Sequence, residues 1–158
     1  MEALETKIVR LLAERKQTLA LAESCTGGFI AHRVTNVPGA SAVFSGGLVT
    51  YSNEVKQNVV GVPIETISQN GAVSEKTVTA MAQGAVRTLD SDYALAVSGV
   101  LGPDGGTERV PVGTVWMAVA NRDTVKAKQF RFFYDRQRNK DQAAKMGMLM
   151  LWRFINES

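Results

Sequence analysis

Tyr93 to Val100 is a near-continuous apolar run of eight residues that ends against Gly102-Pro103-Asp104-Gly105-Gly106, a loop. A run this short, apolar on both parities, reads as a strand buried on both faces, and such strands belong to sheets covered by helices on either side. Thr18 to Ala22 reads as a second, shorter strand of the same kind. Both strands therefore require helices on either face, and the rest of the chain has to supply them.

Leu4, Ile8, Leu11 and Leu12 fall on one face of a helix running to about Lys16. The Gly27-Gly28 pair opens a second helix, in which Phe29, Ile30, Arg33 and Val34 keep helical spacing until Asn36 and Pro38 end it. Val43 to Tyr51 is a strand loosened at Gly46-Gly47. Asn53 is expected to cap a short helix to about Val60, and Gly61-Val62-Pro63 interrupts before a turn ending at Asn70-Gly71. Ser74 with Thr77, then Val78, Met81, Ala82, Ala85, Val86 and Leu89, predict a helix from 74 to about 89. Val112 to Ala120 and Val125 to Phe133 are strands joined by Asn121-Arg122-Asp123-Thr124, a hairpin signal. Ala144, Met148, Leu151, Trp152 and Ile155 mark one face of a terminal helix starting near Arg138. Strands alternating with helices, plus one hairpin, predict an α/β fold: a three-layer α/β/α sandwich with a mixed sheet. The 158 residues are expected to form one domain, 1–158.

Eighteen Lys and Arg stand against fifteen Asp and Glu, an excess too small to point to nucleic acid as a partner. The excess is local: Arg122 to Lys140 holds seven basic residues against Asp123 and Asp135. That segment either faces an anionic ligand or is a solvated strand edge and helix start. Cys25 is the only cysteine, so no intramolecular disulfide can form, and the usage fits a reducing compartment. The first fifteen residues carry Glu2, Glu5 and Glu14 in an amphipathic pattern unlike a signal peptide, and no run of eighteen apolar residues occurs. A cytoplasmic protein without membrane contact is expected.

Nucleotide-cofactor glycine motifs and paired cysteines are absent, and His32 is the only histidine, so neither metal nor cofactor is expected. His32 sits about two turns past Ser24, too far along its helix to serve as that residue's base. Ala22-Glu23-Ser24-Cys25-Thr26-Gly27-Gly28 lies between a buried strand and a helix start, where α/β sheets place their sites. Ser24 is there either as a nucleophile on a tight turn or as the helix N-cap. A serine nucleophile without histidine needs another base, and lysine is the recognised substitute. Tyr51 at a strand end and Lys56 one turn into the next helix could face the same cleft. For Lys56 to be a neutral amine its pKa must fall from about 10.4 to near 7, roughly 4 kcal/mol, which an exposed lysine cannot meet. Lys56 is therefore either a buried base or a solvated surface residue. Ser98 would lie where the apolar strand meets the glycine loop, which presents amides to an anion or is a plain turn. Cys25 is either a second nucleophile candidate, activated at a helix N-terminus, or an inert buried thiol.

Five blocks in order across the chain carry a resemblance: Ala-Glu-Ser-Cys-Thr-Gly-Gly at 22–28, Thr-Tyr-Ser-Asn-Glu-Val-Lys at 50–56, Gly-Ala-Val-Ser at 71–74, Ser-Gly-Val-Leu-Gly-Pro-Asp-Gly-Gly at 98–106 and Pro-Val-Gly-Thr-Val-Trp at 111–116. On these the sequence resembles the CinA C-terminal-domain family, the PncC-type nicotinamide-mononucleotide amidases. The larger N-terminal domain of full-length CinA proteins is not expected. The resemblance implies hydrolysis of the carboxamide of nicotinamide mononucleotide to nicotinic acid mononucleotide and ammonia, without metal or redox cofactor. It implies Ser24 as nucleophile, Lys56 and Tyr51 as its proton-handling partners, and a substrate site drawn from Thr26, Gly27, Gly28, Ser98, Gly99, Gly102, Gly105, Arg136 and Lys140. Amides near Thr26 and Gly27 would stabilise the oxyanion.

The chain departs from the family's pattern at Leu101, where a small residue is usual, at Tyr134, where glycine is usual, and at Lys140, where arginine is usual. Leu101 and Tyr134 are thus expected to fill pocket space, and Lys140 to keep the charge without bidentate geometry. These departures leave a second reading: a catalytically weak or silent paralogue that binds a pyridine nucleotide or similar anion. Met146, Met148, Met150, Leu151, Trp152, Phe154 and Ile155 leave the terminal helix apolar around much of its circumference, which predicts a homo-oligomer.

Overall fold

In the computed structural model, which describes residues 1–158, five strands form one mixed sheet: β1 (Leu19–Glu23), β2 (Phe44–Val49), β3 (Tyr93–Gly99), β4 (Thr114–Ala120) and β5 (Val125–Arg131). Their order is β2-β1-β3-β4-β5. β1 runs parallel to both β2 and β3, whereas β4 is antiparallel to β3 and β5.

The two faces of this sheet are chemically different because side chains alternate along a strand. One parity presents Leu19, Leu21, Leu95, Val97, Val115, Met117 and Val119 to a layer made of α1 (Leu4–Arg15), α2 (Phe29–Thr35) and α6 (Arg136–Glu157). The other presents Ala20, Ala22, Ala94, Ala96, Ala118 and Ala120 to the opposite layer. A floor of methyl groups lets α5 (Glu75–Leu89) lie close, sealed by Val78, Met81, Ala82 and Ala85, none of them exposed. Burying an apolar side chain the size of Val78 or Met81 is worth about 1.5–3 kcal/mol. Two short helices, α3 (Asn53–Val60) and α4 (Ile64–Asn70), pack on α5 rather than on the sheet. Gly84 permits the α3 crossing: a methyl there would collide with the Val60 carbonyl, whose carbon would lie 2.8 Å away.

Several boundaries correct the sequence reading. Residues 64–70, expected as a turn, form α4, which begins after Pro63 and has no buried residue. Its lack of a buried face leaves little apolar periodicity to read. Ser52, not Asn53, caps α3 and accepts from the Val55 amide at 3.1 Å. Asp135 caps α6, accepting from the Arg138 amide at 2.8 Å, so the helix starts at Arg136 rather than near Arg138.

The topology places the site. After β1 the chain turns toward β2, and after β3 toward β4, on the other side. The carboxyl ends of β1 and β3 therefore flank a crevice at the point where the winding reverses, the usual binding position in open α/β sheets. Ser24 follows β1 there, its amide donating to Val97 O of β3 at 3.0 Å.

Candidate active site

Glu23 and Ser24 are consecutive, so strand alternation sends their side chains to opposite faces of the sheet. Glu23 enters the α2 layer, 1% exposed, and its Oε1 and Oε2 accept from the Ile30 and Ala31 amides at 2.9 and 3.0 Å. These are free amides of the first turn of α2, whose N-cap is Gly28 and brings no side chain. Glu23 therefore caps this helix from a distance, and Ser24 does not cap it. Sequence reasoning passed over Glu23 because the groups it binds are backbone amides.

Ser24 Oγ instead accepts a hydrogen bond from Lys56 Nζ at 3.1 Å. Lys56 lies one turn into α3, is 1% exposed, and its Nζ also donates to Tyr51 O at 2.9 Å. No carboxylate lies within ion-pair distance of it. Burial holds its pKa below the ordinary 10.5, opposed by the neighbouring Cys25. The surface reading of Lys56 is thus excluded. Cys25 is buried beside the pair, and desolvation pushes its thiol up to about 12, which removes it as a nucleophile at neutral pH. His32 is on the exposed side of α2, within 3.3 Å of Asn36 Nδ2, and takes no part.

Ser24, Cys25, Tyr51 and Lys56 open onto a cavity of about 270 Å³. That is at the lower end of the range of small-molecule sites. Ser98, Gly99, Leu101, Gly105 and Arg136 line the same cavity. Tyr51 stands at 61% exposure, and it is its backbone carbonyl, not its phenol, that engages Lys56. Ser98 is buried, with its hydroxyl donating to Ala72 O at 2.9 Å. Thr26, Gly27, Gly28, Gly102 and Lys140 do not line the cavity. Thr26 is 1% exposed and its hydroxyl has no protein partner. The charge of Lys140 nevertheless reaches the Cys25 thiol, and Gly102 O is held by Arg136 Nη1 at 2.7 Å.

Tyr134 does not fill this cavity, contrary to expectation: the residue is 56% exposed and lies beside Phe130, Phe132 and Phe133. Its backbone matters more. Fully buried Asn139 accepts from the Tyr134 amide at 3.0 Å and donates to Tyr134 O at 3.0 Å and Leu101 O at 2.9 Å. Asn139 and Arg136 thereby hold two successive carbonyls of the glycine loop against the start of α6. Leu101 does line the cavity, but is 3% exposed and packs in the core. Asn53, Ala72 and Val73 also line it and were not among the expected site residues. Ala72 and Val73 belong to the Gly-Ala-Val-Ser block, which was the signal for them.

A buried serine and lysine in hydrogen-bond contact, beneath a cavity at a topological switch point, make an arrangement able to activate a hydroxyl. Residues 1–155 match the CinA C-terminal domain model. The chain belongs to the CinA C-terminal domain family. A CinA-like protein of Geobacter sulfurreducens is 51% identical over 133 residues, 84% of this chain and 32% of that protein. Another from Thermotoga neapolitana is 44% identical over 158 residues, 99% of this chain and 38% of that one. The chain thus spans about a third of the length of these relatives. The crystal structure of a CinA superfamily protein from Klebsiella pneumoniae superposes with a TM-score of 0.94 at 36% identity, covering 98% of this chain and 97% of that one. The corresponding Escherichia coli structure gives 0.92 at 28% identity, over 96% and 88%. The α/β/α architecture is that of these CinA structures. No helix is long and apolar enough to cross a membrane.

Proposed function

We propose that this CinA-family domain, residues 1–158, is a serine-lysine amidohydrolase that deamidates nicotinamide mononucleotide to nicotinic acid mononucleotide and ammonia. The observation that carries the reading is the 3.1 Å contact between Lys56 Nζ and Ser24 Oγ, made by a buried amine with no carboxylate to hold it charged. Ser24 Oγ attacks the amide carbon while its proton passes to neutral Lys56. Lys56 returns that proton to the departing nitrogen, which leaves as ammonia. Water then attacks the ester, giving one proton to Lys56 and through it back to Ser24 Oγ, and the carboxylate product leaves.

The amides of Cys25 and Thr26 donate to no carbonyl of the protein, whereas Gly27 N donates to Ser24 O at 3.1 Å. Of these, the Cys25 amide belongs to a residue that lines the cavity and is the donor placed for the oxyanion. Tyr51 at the rim and Arg136 in the wall meet the nucleotide, with Lys140 adding positive charge behind Cys25. No residue of this scheme calls for a metal or a redox cofactor. A second reading, a weak or silent paralogue that binds a pyridine nucleotide or similar anion, is favoured by Leu101 in the cavity wall.

Ammonia release with product identification separates the two. Turnover by wild type, abolished in Ser24→Ala and Lys56→Ala, supports the amidase; a folded wild type that binds but does not turn over supports the paralogue. Assembly into a homo-oligomer in the cytoplasm is part of the same proposal, since Met146, Leu149 and Met150 of α6 line an open groove against β5. A monomer mass by light scattering at micromolar concentration would contradict the oligomer.

A further inference from the structure

We propose that Glu23 is a positioning residue that holds the nucleophile turn closed against Lys56, an inference that rests on the reading of Ser24 as nucleophile. The turn Ser24–Gly28 is strung between two parts of a single residue. At its start, the Glu23 backbone is locked in the sheet: it pairs with Val49 and Val97, and its carbonyl accepts from Thr50 N at 2.8 Å. At its end, the Glu23 side chain takes the Ile30 and Ala31 amides. The carboxylate thus closes a ring around the five residues that carry Ser24 and the Cys25 amide.

That ring needs a carboxylate. Gly27 and Gly28 have φ of +60° and +99°, a left-handed pair that makes the turn tight and that side-chain-bearing residues avoid. Gly28 consequently sits where a serine or aspartate would normally cap the helix, and the cap must come from elsewhere. Two amides converge on Glu23, and its two side-chain oxygens offer each of them an acceptor; an amide side chain would turn an NH2 group toward one of them. No cation pairs with Glu23, and its carboxylate makes no hydrogen bond to Ser24 or Lys56. It acts through the backbone.

The test is Glu23→Gln beside wild type, with three readouts. Amide hydrogen exchange of residues 25–31 is expected to quicken at least 10-fold in the variant while β3 and α5 amides keep their rates. Labelling of Ser24 by a fluorophosphonate, a probe that does not depend on the natural substrate, is expected to slow at least 10-fold at full folding. With nicotinamide mononucleotide, kcat falls and KM stays within about 2-fold. Turn amides that exchange at wild-type rates, or labelling within 2-fold of wild type, would overturn the proposal. Absolute labelling of wild type reports on the nucleophile itself. A wild type inert to the probe removes the amidase reading and with it the catalytic role of Glu23, whereas the exchange data still decide whether the clasp exists.

Discussion

Lys56→Met is the substitution whose consequence is best defined by the structure. Methionine keeps most of the volume of a residue that is 1% exposed, and removes only the amine. Two effects oppose each other. The hydrogen bonds to Ser24 Oγ and Tyr51 O are lost, about 1 kcal/mol each for groups that line an open cavity and can be rehydrated. Against this, wild type carries the penalty of burying an amine whose pKa is held below 10.5 by desolvation, and the variant does not.

The two effects differ in their dependence on pH. Between the folded-state pKa and the unfolded value near 10.5, unfolded wild type binds one proton more than folded wild type, so its stability rises with pH, with a limiting slope of about 1.4 kcal/mol per pH unit. The penalty is present in full below the folded-state pKa and gone above about 10.5. The variant lacks this slope, and all other titrating groups are common to both chains. The stability of Lys56→Met relative to wild type is therefore greatest at low to neutral pH and declines as pH approaches 10.5, levelling at the deficit left by the two lost hydrogen bonds. Urea unfolding of both proteins from pH 7 to 10, with equal m values, measures this. A difference that does not change with pH would mean that Lys56 keeps its ordinary pKa in the folded chain, and the base in the proposed reaction would be lost.

Gly84→Ala drives a methyl into the Val60 carbonyl and lifts α3 off α5; a loss of about 1–3 kcal/mol is expected, with reduced activity because α3 carries Lys56. Unchanged denaturant midpoint and turnover would contradict that crossing. Asn139→Ala unpairs Leu101 O and both backbone groups of Tyr134, for which about 2–4 kcal/mol of destabilisation and a raised KM are expected from denaturation and kinetics. Cys25, with its thiol pushed up to about 12, is expected to resist iodoacetamide at pH 8 in the native protein and to react in urea. Rapid native labelling would contradict its burial.

The central strands were legible because they are buried on both faces: Leu19–Glu23 and Tyr93–Gly99 fall within a residue or so of where their apolar runs place them. Helix α5 was legible because one full apolar face meets the sheet and Ser74 caps it. α4 was not, because it rests on another helix without burying any residue. At the site, Ser24 and Lys56 could be named as candidates, but an isolated turn of helix does not reveal which side faces inward. That depends on the α3–α5 crossing, which a glycine about thirty residues away permits. Tyr134 misled for a related reason. Its position in the sequence lies next to the site, yet the Asn139 bonds use its backbone and leave the ring outside.

The covalent intermediate is the central claim, and it can be trapped. Wild type mixed with nicotinamide mononucleotide, quenched in acid within the first turnover and mapped by peptide mass spectrometry, should carry the acyl group of the product nucleotide on Ser24, with one ammonia released in forming each adduct. The adduct should be absent from Ser24→Ala and from Lys56→Ala. Ammonia release by an enzyme that never carries the adduct, or turnover that survives loss of Ser24, would contradict the account.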